Sequence, residues 1–254
     1  MKENSTKKKL QEEEYQFPYH YILNYKDDAI DIVKRYNYGF AHYSLIKLIK
    51  KIILQKNPES ILDIGCGDGK LIYEICRDKS LQNNLNTIIG IDNNGRAIAF
   101  AKIFNQNNKA KFLTKDIYDF EHDPFTLVIL TEVIEHFPDK EMSKLLDEVF
   151  SLVAEGKYLI ISVPSINIPL QPKHHKHYDI DSLKKLLKSH FKIEKTYYIG
   201  SVSLFSKLFK QIYMLLDDFK IQLLKRYLFS YYKKKLIITS KKKSQHILVL
   251  CKKI

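Results

Sequence analysis

From Ser60 to Gly200 the chain alternates short apolar runs with stretches of helical periodicity, and that rhythm leaves few folds open. The runs "SILDIG", "NTIIGID", "AKFLTKDI", "FTLVILTEV", "KYLIISVP" and "KIEKTYYIG" read as strands, and "KLIYEICRD", "GRAIAFAKIFNQ", "EMSKLLDEVFSLV" and "DIDSLKKLLKSH" as helices. Most of the strands are apolar on both faces, which suits a parallel sheet covered by helices on either side. Right-handed crossovers bring the strand carboxyl ends and their loops to one edge of such a sheet. The expectation is a doubly wound, mostly parallel α/β domain over residues 58–254, preceded by residues 1–57 as a disordered tail with N-terminal lid helices.

The flanking segments set further expectations. Residues 1–14 are polar and charged and predict disorder, and residues 28–54 predict two helices broken near Gly39. In "YQFPYHYILNY", Tyr19, His20 and Tyr21 either line an acceptor pocket or fasten those helices to the domain. Cys66, Cys76 and Cys251 show no CxxC spacing, so neither a disulfide framework nor a cysteine zinc site is expected. With no apolar leader and no run near the ~18 apolar residues of a membrane span, the expected location is cytoplasmic, in membrane-peripheral form at most.

Near the end, "SQHILVLCKK" reads as a last strand, far beyond "TYYIG" for an ordinary connection. The intervening 201–240 predicts a helical insertion, with Phe205, Leu208, Ile212, Leu215, Phe219 and Leu223 recurring at steps of three and four. From residue 201 onward 12 lysines and one arginine face only Asp217 and Asp218, so most of the net charge of +13 sits here. The basic insertion either packs on the sheet or a dimer partner, meets an anionic membrane, or binds nucleic acid. Of the partner readings, nucleic acid is the less favoured, because no recognised RNA-binding module accompanies the charge.

The loop "ILDIGCGDGKL" carries Gly65, Gly67 and Gly69 between a strand and a helix, a bareness that lets a ligand approach the backbone. Asp92, followed by Asn93, ends the next strand, where an acid can accept both hydroxyls of a ribose. Asp116 and Ile117 end another strand on that edge. Together "ILDIGCGDGKL", "GIDNN", "TKDIYDF", "TEVIEHFPD" and "KYLIISVP" resemble the motifs of class I S-adenosylmethionine-dependent methyltransferases over residues 58–200. The resemblance implies a Rossmann-like, seven-stranded sheet whose last strand inserts antiparallel between the fifth and sixth. It also implies S-adenosylmethionine as cofactor. By it, Asp63, Gly65, Gly67 and Gly69 shape the loop around the methionine part, with Cys66 a small filler there. Asp92 would hold the ribose, with Asn93 beside it, Asp116 and Ile117 the adenine, and Thr131 and Glu132 would flank the sulfonium.

Past two strand ends, Glu132, Glu135 and His136 meet the loop of His174, His175 and His177. Three readings stay open. In the preferred one, a site without metal uses His136 or a later histidine as general base on a hydroxyl, with Glu132, Glu135, His174 and His177 around it. In another, Glu132, Glu135, His136 and one later histidine bind a divalent metal. In the third, Glu135 and His136 cap a helix and the later histidines are solvated. E-V-I-E-H with a distant histidine resembles the metal-dependent small-RNA 3′-end 2′-O-methyltransferases and the ubiquinone-type O-methyltransferases. The strand ends "VPSIN" and the chain has no tryptophan, a departure from the RNA group. "KHHKHYDIDSLKKLL" more closely resembles small-molecule and lipid- or quinone-directed enzymes. The expected function is O-methylation of a small-molecule, glycosyl or lipid-linked acceptor, with a metal-dependent RNA 2′-O-methyltransferase or an inactive cofactor-binding subunit as alternatives.

Overall fold

The apolar runs of the sequence form the strands of one sheet in a computed structural model that describes residues 6–7, 9, 25–26, 29–30, 33–218 and 221–254. The strands are β1 (Ser60–Ile64), β2 (Thr87–Asp92), β3 (Ala110–Thr114), β4 (Phe125–Thr131), β5 (Val153–Pro164), β6 (Phe191–Ser201) and β7 (Ser244–Lys253). Their order is β3-β2-β1-β4-β5-β7-β6. All neighbours run parallel except β7, which is antiparallel to both β5 and β6. This is the seven-stranded, doubly wound sheet expected. The order reverses between β1 and β4, so a crevice opens at their carboxyl ends, where such sheets take ligands.

Helices α1 (Val33–Lys56), α2 (Lys70–Cys76), α3 (Gly95–Phe104), α4 (Met142–Leu152), α5 (Ile180–Leu187), α6 (Leu204–Asp218) and α7 (Gln222–Lys235) cover the sheet. Strand residues alternate between the two faces. Ile61, Ile88, Leu127 and Ile129 join Ile49, Ile52 and Ile72 on one side. Leu62, Ile89, Val128 and Leu130 join Leu145, Val149 and Leu183 on the other. That period of two inside fully buried strands is the packing a doubly covered sheet requires.

Three expectations need correction. The break near Gly39 does not occur, and α1 runs through it as one helix of 24 residues. A helical glycine costs about 1 kcal/mol, which burial of Phe40, Leu45, Ile49, Ile52 and Ile53 on the same helix outweighs. The insertion holds two helices, α6 and α7, rather than one across 205–223. Finally, Thr6, Lys7 and Lys9 are helical, and Lys7 Nζ donates to the His174 carbonyl at 3.0 Å, so this part of the tail docks on the domain. Tyr19, His20 and Tyr21 lie outside the described residues. All three cysteines are unbridged, Cys66 and Cys251 buried. Among the described residues no helix is long and apolar enough to cross a membrane.

Candidate active site

The glycine loop leaves β1 by hooking onto β2: the amides of Gly65 and Cys66 donate to the Ile91 carbonyl at 2.8 and 3.0 Å. Gly65, Gly67 and Gly69 all have left-handed φ, at 71°, 54° and 72°. A Cβ on Gly65 would stand 2.6 Å from Val133 Cγ2, and one on Gly69 2.7 Å from Phe112 Cε1. Conformation and space thus both demand glycine at these two positions. Cys66 is buried against Gly90, where an added Cβ would meet its Sγ at 2.8 Å. Burial, then the nearby aspartates, holds its thiol well above the usual range, so it fills space and is no thiolate.

Asp92 clamps this loop. Its Oδ2 accepts from the Gly67 amide at 3.0 Å and its Oδ1 from the Asn94 amide at 2.8 Å. A carboxylate has about four lone-pair directions, so each oxygen keeps one for a ligand hydroxyl. Burial raises its pKa against those two amide bonds. Asp63, level with Gly90 and Ile129 in the sheet, is 1% exposed, and its Oδ1 has no hydrogen-bond partner among the described residues. Burial and the charge of Asp92 push its pKa up to about 8. At neutral pH this carboxyl therefore stays largely protonated. At the end of β3, Asp116 caps a turn over Ile117–Asp119 and accepts from the Tyr118 amide at 3.2 Å. Ile117 is buried and Asn93 exposed.

Beyond β4, which ends at Thr131, Glu132 adopts φ 56°, a conformation that costs a non-glycine residue about 1–3 kcal/mol. Its surroundings hold it there. Its amide donates to the Ser162 carbonyl at 3.0 Å, Ser162 Oγ donates to its Oε1 at 3.0 Å, and His246 Nδ1 pairs with its Oε2 at 3.0 Å. Burial alone would raise its pKa, but His246 and the two hydrogen bonds hold the carboxyl below its usual range. The sequence reading missed His246. It sits opposite Pro164 at the start of β7, and only the antiparallel entry of that strand carries it to the carboxyl edge.

Glu135 and His136 lie in a tight turn over Ile134–His136, not at a helix cap. Glu135 is fully buried, with no hydrogen bond to either carboxyl oxygen among the described residues. Burial first, then Glu132, pushes its pKa well above the carboxylate range. The histidines around it have assignable tautomers. His177 Nδ1 lies 3.2 Å from the Ile168 carbonyl, which only accepts, so Nδ1 carries the proton. His177 Nε2 then accepts from His174 Nδ1 at 2.9 Å, which leaves the lone pair of His174 on Nε2. His136 Nδ1 likewise faces the Lys173 carbonyl at 3.3 Å, which puts its lone pair on Nε2, 4.0 Å from Glu135 Oε1.

The rings of His136 and His174 meet edge to face at 4.8 Å. Ligand atoms of Glu135, His136 and His174 all lie within 4.8 Å of one another. Burial, then the charges of His136 and Lys173, lowers the His174 pKa to about 3, and burial lowers that of His177. Both rings are buried and neutral, which corrects the reading of them as solvated loop residues. His175 contributes its backbone, its amide donating to the Glu135 carbonyl at 2.7 Å.

A family model described as a methyltransferase domain matches residues 55–236. The chain is 28% identical over 145 residues to the sterol 24-C-methyltransferase of Clavispora lusitaniae; the match covers 54% of this chain and 34%, about a third, of that curated relative. Among solved structures, the magnesium protoporphyrin IX methyltransferase ChlM from Synechocystis PCC 6803 with bound SAM superposes with a TM-score of 0.61 at 15% identity, covering 98% of this chain and 97% of that one. The methyltransferase domain of bacterial CtHen1-CN gives 0.57 at 13% identity, over 84% and 99%. The N-methyltransferase NodS from Bradyrhizobium japonicum WM9, in complex with S-adenosyl-L-homocysteine, gives 0.54 at 14%, over 82% and 86%. At such identities these likenesses show a shared fold.

Proposed function

The chain belongs to the methyltransferase-domain family, an S-adenosylmethionine-dependent group, and from that premise we propose that it methylates a hydroxyl oxygen of a small-molecule, glycosyl or lipid-linked acceptor. The residues present fit the cofactor. The loop of Gly65, Gly67 and Gly69 admits a ligand against bare backbone, and the partnerless Asp63 oxygen suits the ammonium of a methionine moiety. Asp92 keeps a lone pair on each oxygen for ribose hydroxyls, and Asp116 and Ile117 would hold the adenine. Bound S-adenosylmethionine supplies an activated methyl group on a sulfonium. What remains for the chain is to align the acceptor and take its proton.

The observation that carries the proposal is an imidazole lone pair beside a buried carboxyl. His136 Nε2 takes the hydroxyl proton, and the Lys173 carbonyl keeps the ring oriented through Nδ1. Glu135, 4.0 Å away and held above the carboxylate range by its burial, faces the imidazolium that forms. His174, its pKa lowered to about 3, stays neutral and bounds the acceptor side. Exchanging His136 for Ala should leave S-adenosylmethionine affinity unchanged by calorimetry. It should cut methyl transfer roughly 10²–10⁴-fold, followed as label passing from methyl-tritiated cofactor into organic, aqueous and RNA fractions of an extract. A fully active variant would remove His136 from the chemistry, and label confined to RNA would overturn the acceptor class.

One observation favours a second reading. Glu135, His136 and His174 each offer one ligand atom, the three within 4.8 Å of one another, and each ring is fixed through its Nδ1. These groups would hold a divalent cation, which lowers the pKa of a bound hydroxyl. RNA 2′-hydroxyls and catechol-like acceptors would then come forward. A manganese isotherm that disappears in Glu135→Gln favours this reading, and none in the presence of S-adenosylmethionine favours the first.

A further inference from the structure

We infer that the α6–α7 hairpin is a docking surface for an anionic lipid bilayer, which it brings against the carboxyl edge of the sheet. α6 is apolar on two faces, and the fold covers one. Phe209 and Tyr213 turn inward onto Phe40, with ring centroids 6.3 and 5.1 Å away, and Tyr232 of α7 joins them at 4.6 Å. On the stripe flanking this buried face Phe205, Leu208, Ile212 and Leu215 stay exposed, and α7 continues the apolar exposure with Leu223 at 83% and Tyr227 at 68%. Leu223, Leu224, Arg226 and Tyr227 border a shallow recess there. More than half of the exposed large apolar side chains among the described residues fall in this hairpin. Exposed apolar side chains concentrated on two consecutive helices mark an interaction site where scattered exposed leucines do not.

Charge selects the occupant. From residue 219 to the end there is no acidic side chain, while Lys207, Arg226, Lys233, Lys234 and Lys235 stand exposed on the same two helices. A second copy of so basic a surface would repel the first. Nucleic acid would take up the cations and stack on the tyrosines, but it offers nothing for Leu208, Ile212, Leu215 and Leu223 to enter. An anionic bilayer answers both features: apolar side chains sink to the acyl boundary, and each nearby basic residue strengthens binding about fivefold. Topology adds the orientation. The hairpin leaves at Ser201 and returns at Ser244, residues paired across β6 and β7 at the edge that also holds Glu132 and His246. A bilayer under the hairpin therefore lies beside the acceptor edge. The hairpin surface does not depend on the acceptor chemistry proposed above.

The 254-residue chain floated with phosphatidylcholine vesicles should bind weakly, and with vesicles containing phosphatidylglycerol strongly, less so as salt rises. The double variant Leu208→Glu, Leu223→Glu should lose partitioning by about tenfold or more, while its melting transition and S-adenosylmethionine affinity stay those of the parent. Because the chain has no tryptophan, Leu223→Trp gives a single indole emitter; its emission should shift to the blue on anionic vesicles and be quenched by brominated lipid. Vesicle binding that survives the two glutamates, equal retention on RNA, or light scattering that shows a dimer in which the indole is hidden from soluble quenchers would each overturn the inference. Flotation requires no turnover, and His136→Ala should float as the parent does, so the two readings fail separately.

Discussion

Asp63 holds a carboxyl group inside the sheet with one oxygen unbonded, and its titration makes that arrangement measurable. Its pKa is about 8 in the folded chain and about 3.9 when unfolded. Below about pH 4 both states carry the proton, so the contribution to stability is full there. Between those values the unfolded chain releases a proton that the folded chain keeps, so stability declines as pH rises and this contribution is gone above about 8. Glu135 shifts the same way and adds to the slope. His174 and His177, lowered in the folded chain, pull the other way below about pH 6.5, so the cofactor-free protein should lose stability to denaturant from about pH 7 to pH 8, and Asp63→Asn should remove part of that loss. An ammonium group set against Asp63 reverses the shift. S-adenosylmethionine binding at pH 7 should then release about one proton, seen as a calorimetric enthalpy that changes with the ionisation enthalpy of the buffer. A buffer-independent enthalpy would show that Asp63 does not meet the cofactor's charge.

At the scale of elements, the loop from Ser165 to Asp179 has to hold His174 and His177 although it has little regular structure of its own. Two of its fastenings lie at its ends. Pro164 and Tyr178 are tied backbone to backbone, the Tyr178 amide donating to the Pro164 carbonyl at 3.0 Å. At the far end a capping box starts α5: Asp179 Oδ1 accepts from the Ser182 amide at 2.8 Å and Ser182 Oγ accepts from the Asp179 amide at 3.0 Å. Asp179→Ala should cost about 1 kcal/mol, lowering Tm by roughly 2–4 °C. Turnover should fall further than that loss explains, with cofactor affinity unchanged. Equal turnover at the lower Tm would mean that the other ties of the loop, the Tyr178 amide on Pro164 and the His175 amide on the Glu135 carbonyl among them, set the histidines without the cap. The strands were legible because β-branched apolar runs bounded by polar turns admit one reading, and the glycine loop because its spacing is rare. The continuity of α1 through Gly39 was not, since burial of Ile49 and Ile52 overrides a local propensity. The pairing of Glu132 with His246 spans 114 residues and depends on the register of β7, which no local pattern carries.

Over the whole molecule, β7 decides whether the rest is a domain at all. It lies between β5 and β6 and pairs with both along most of its length, Tyr158 opposite Lys252 and Phe191 opposite Lys253. Without it β6 has no partner and β5 becomes an edge, although β1 to β4 keep all their pairings. Its five central residues, Ile247 to Cys251, are at most 4% exposed. At about 1.5–3 kcal/mol for each buried large apolar side chain, the strand contributes on the order of 10 kcal/mol, as much as a whole domain commonly has to spare. It also brings His246 to Glu132 and closes the hairpin of α6 and α7 against α1. A chain ended after Lys243 should accordingly show no cooperative denaturation and no S-adenosylmethionine binding, although the glycine loop, Asp63 and Asp92 all remain in it. A separate peptide of residues 244–254, supplied in excess, should restore both by filling the empty strand position, because the missing part is a strand with neighbours on either side and not a covering layer. Cooperative unfolding of the shortened chain without the peptide would show that β1 to β5 fold on their own and that β7 only completes the acceptor edge.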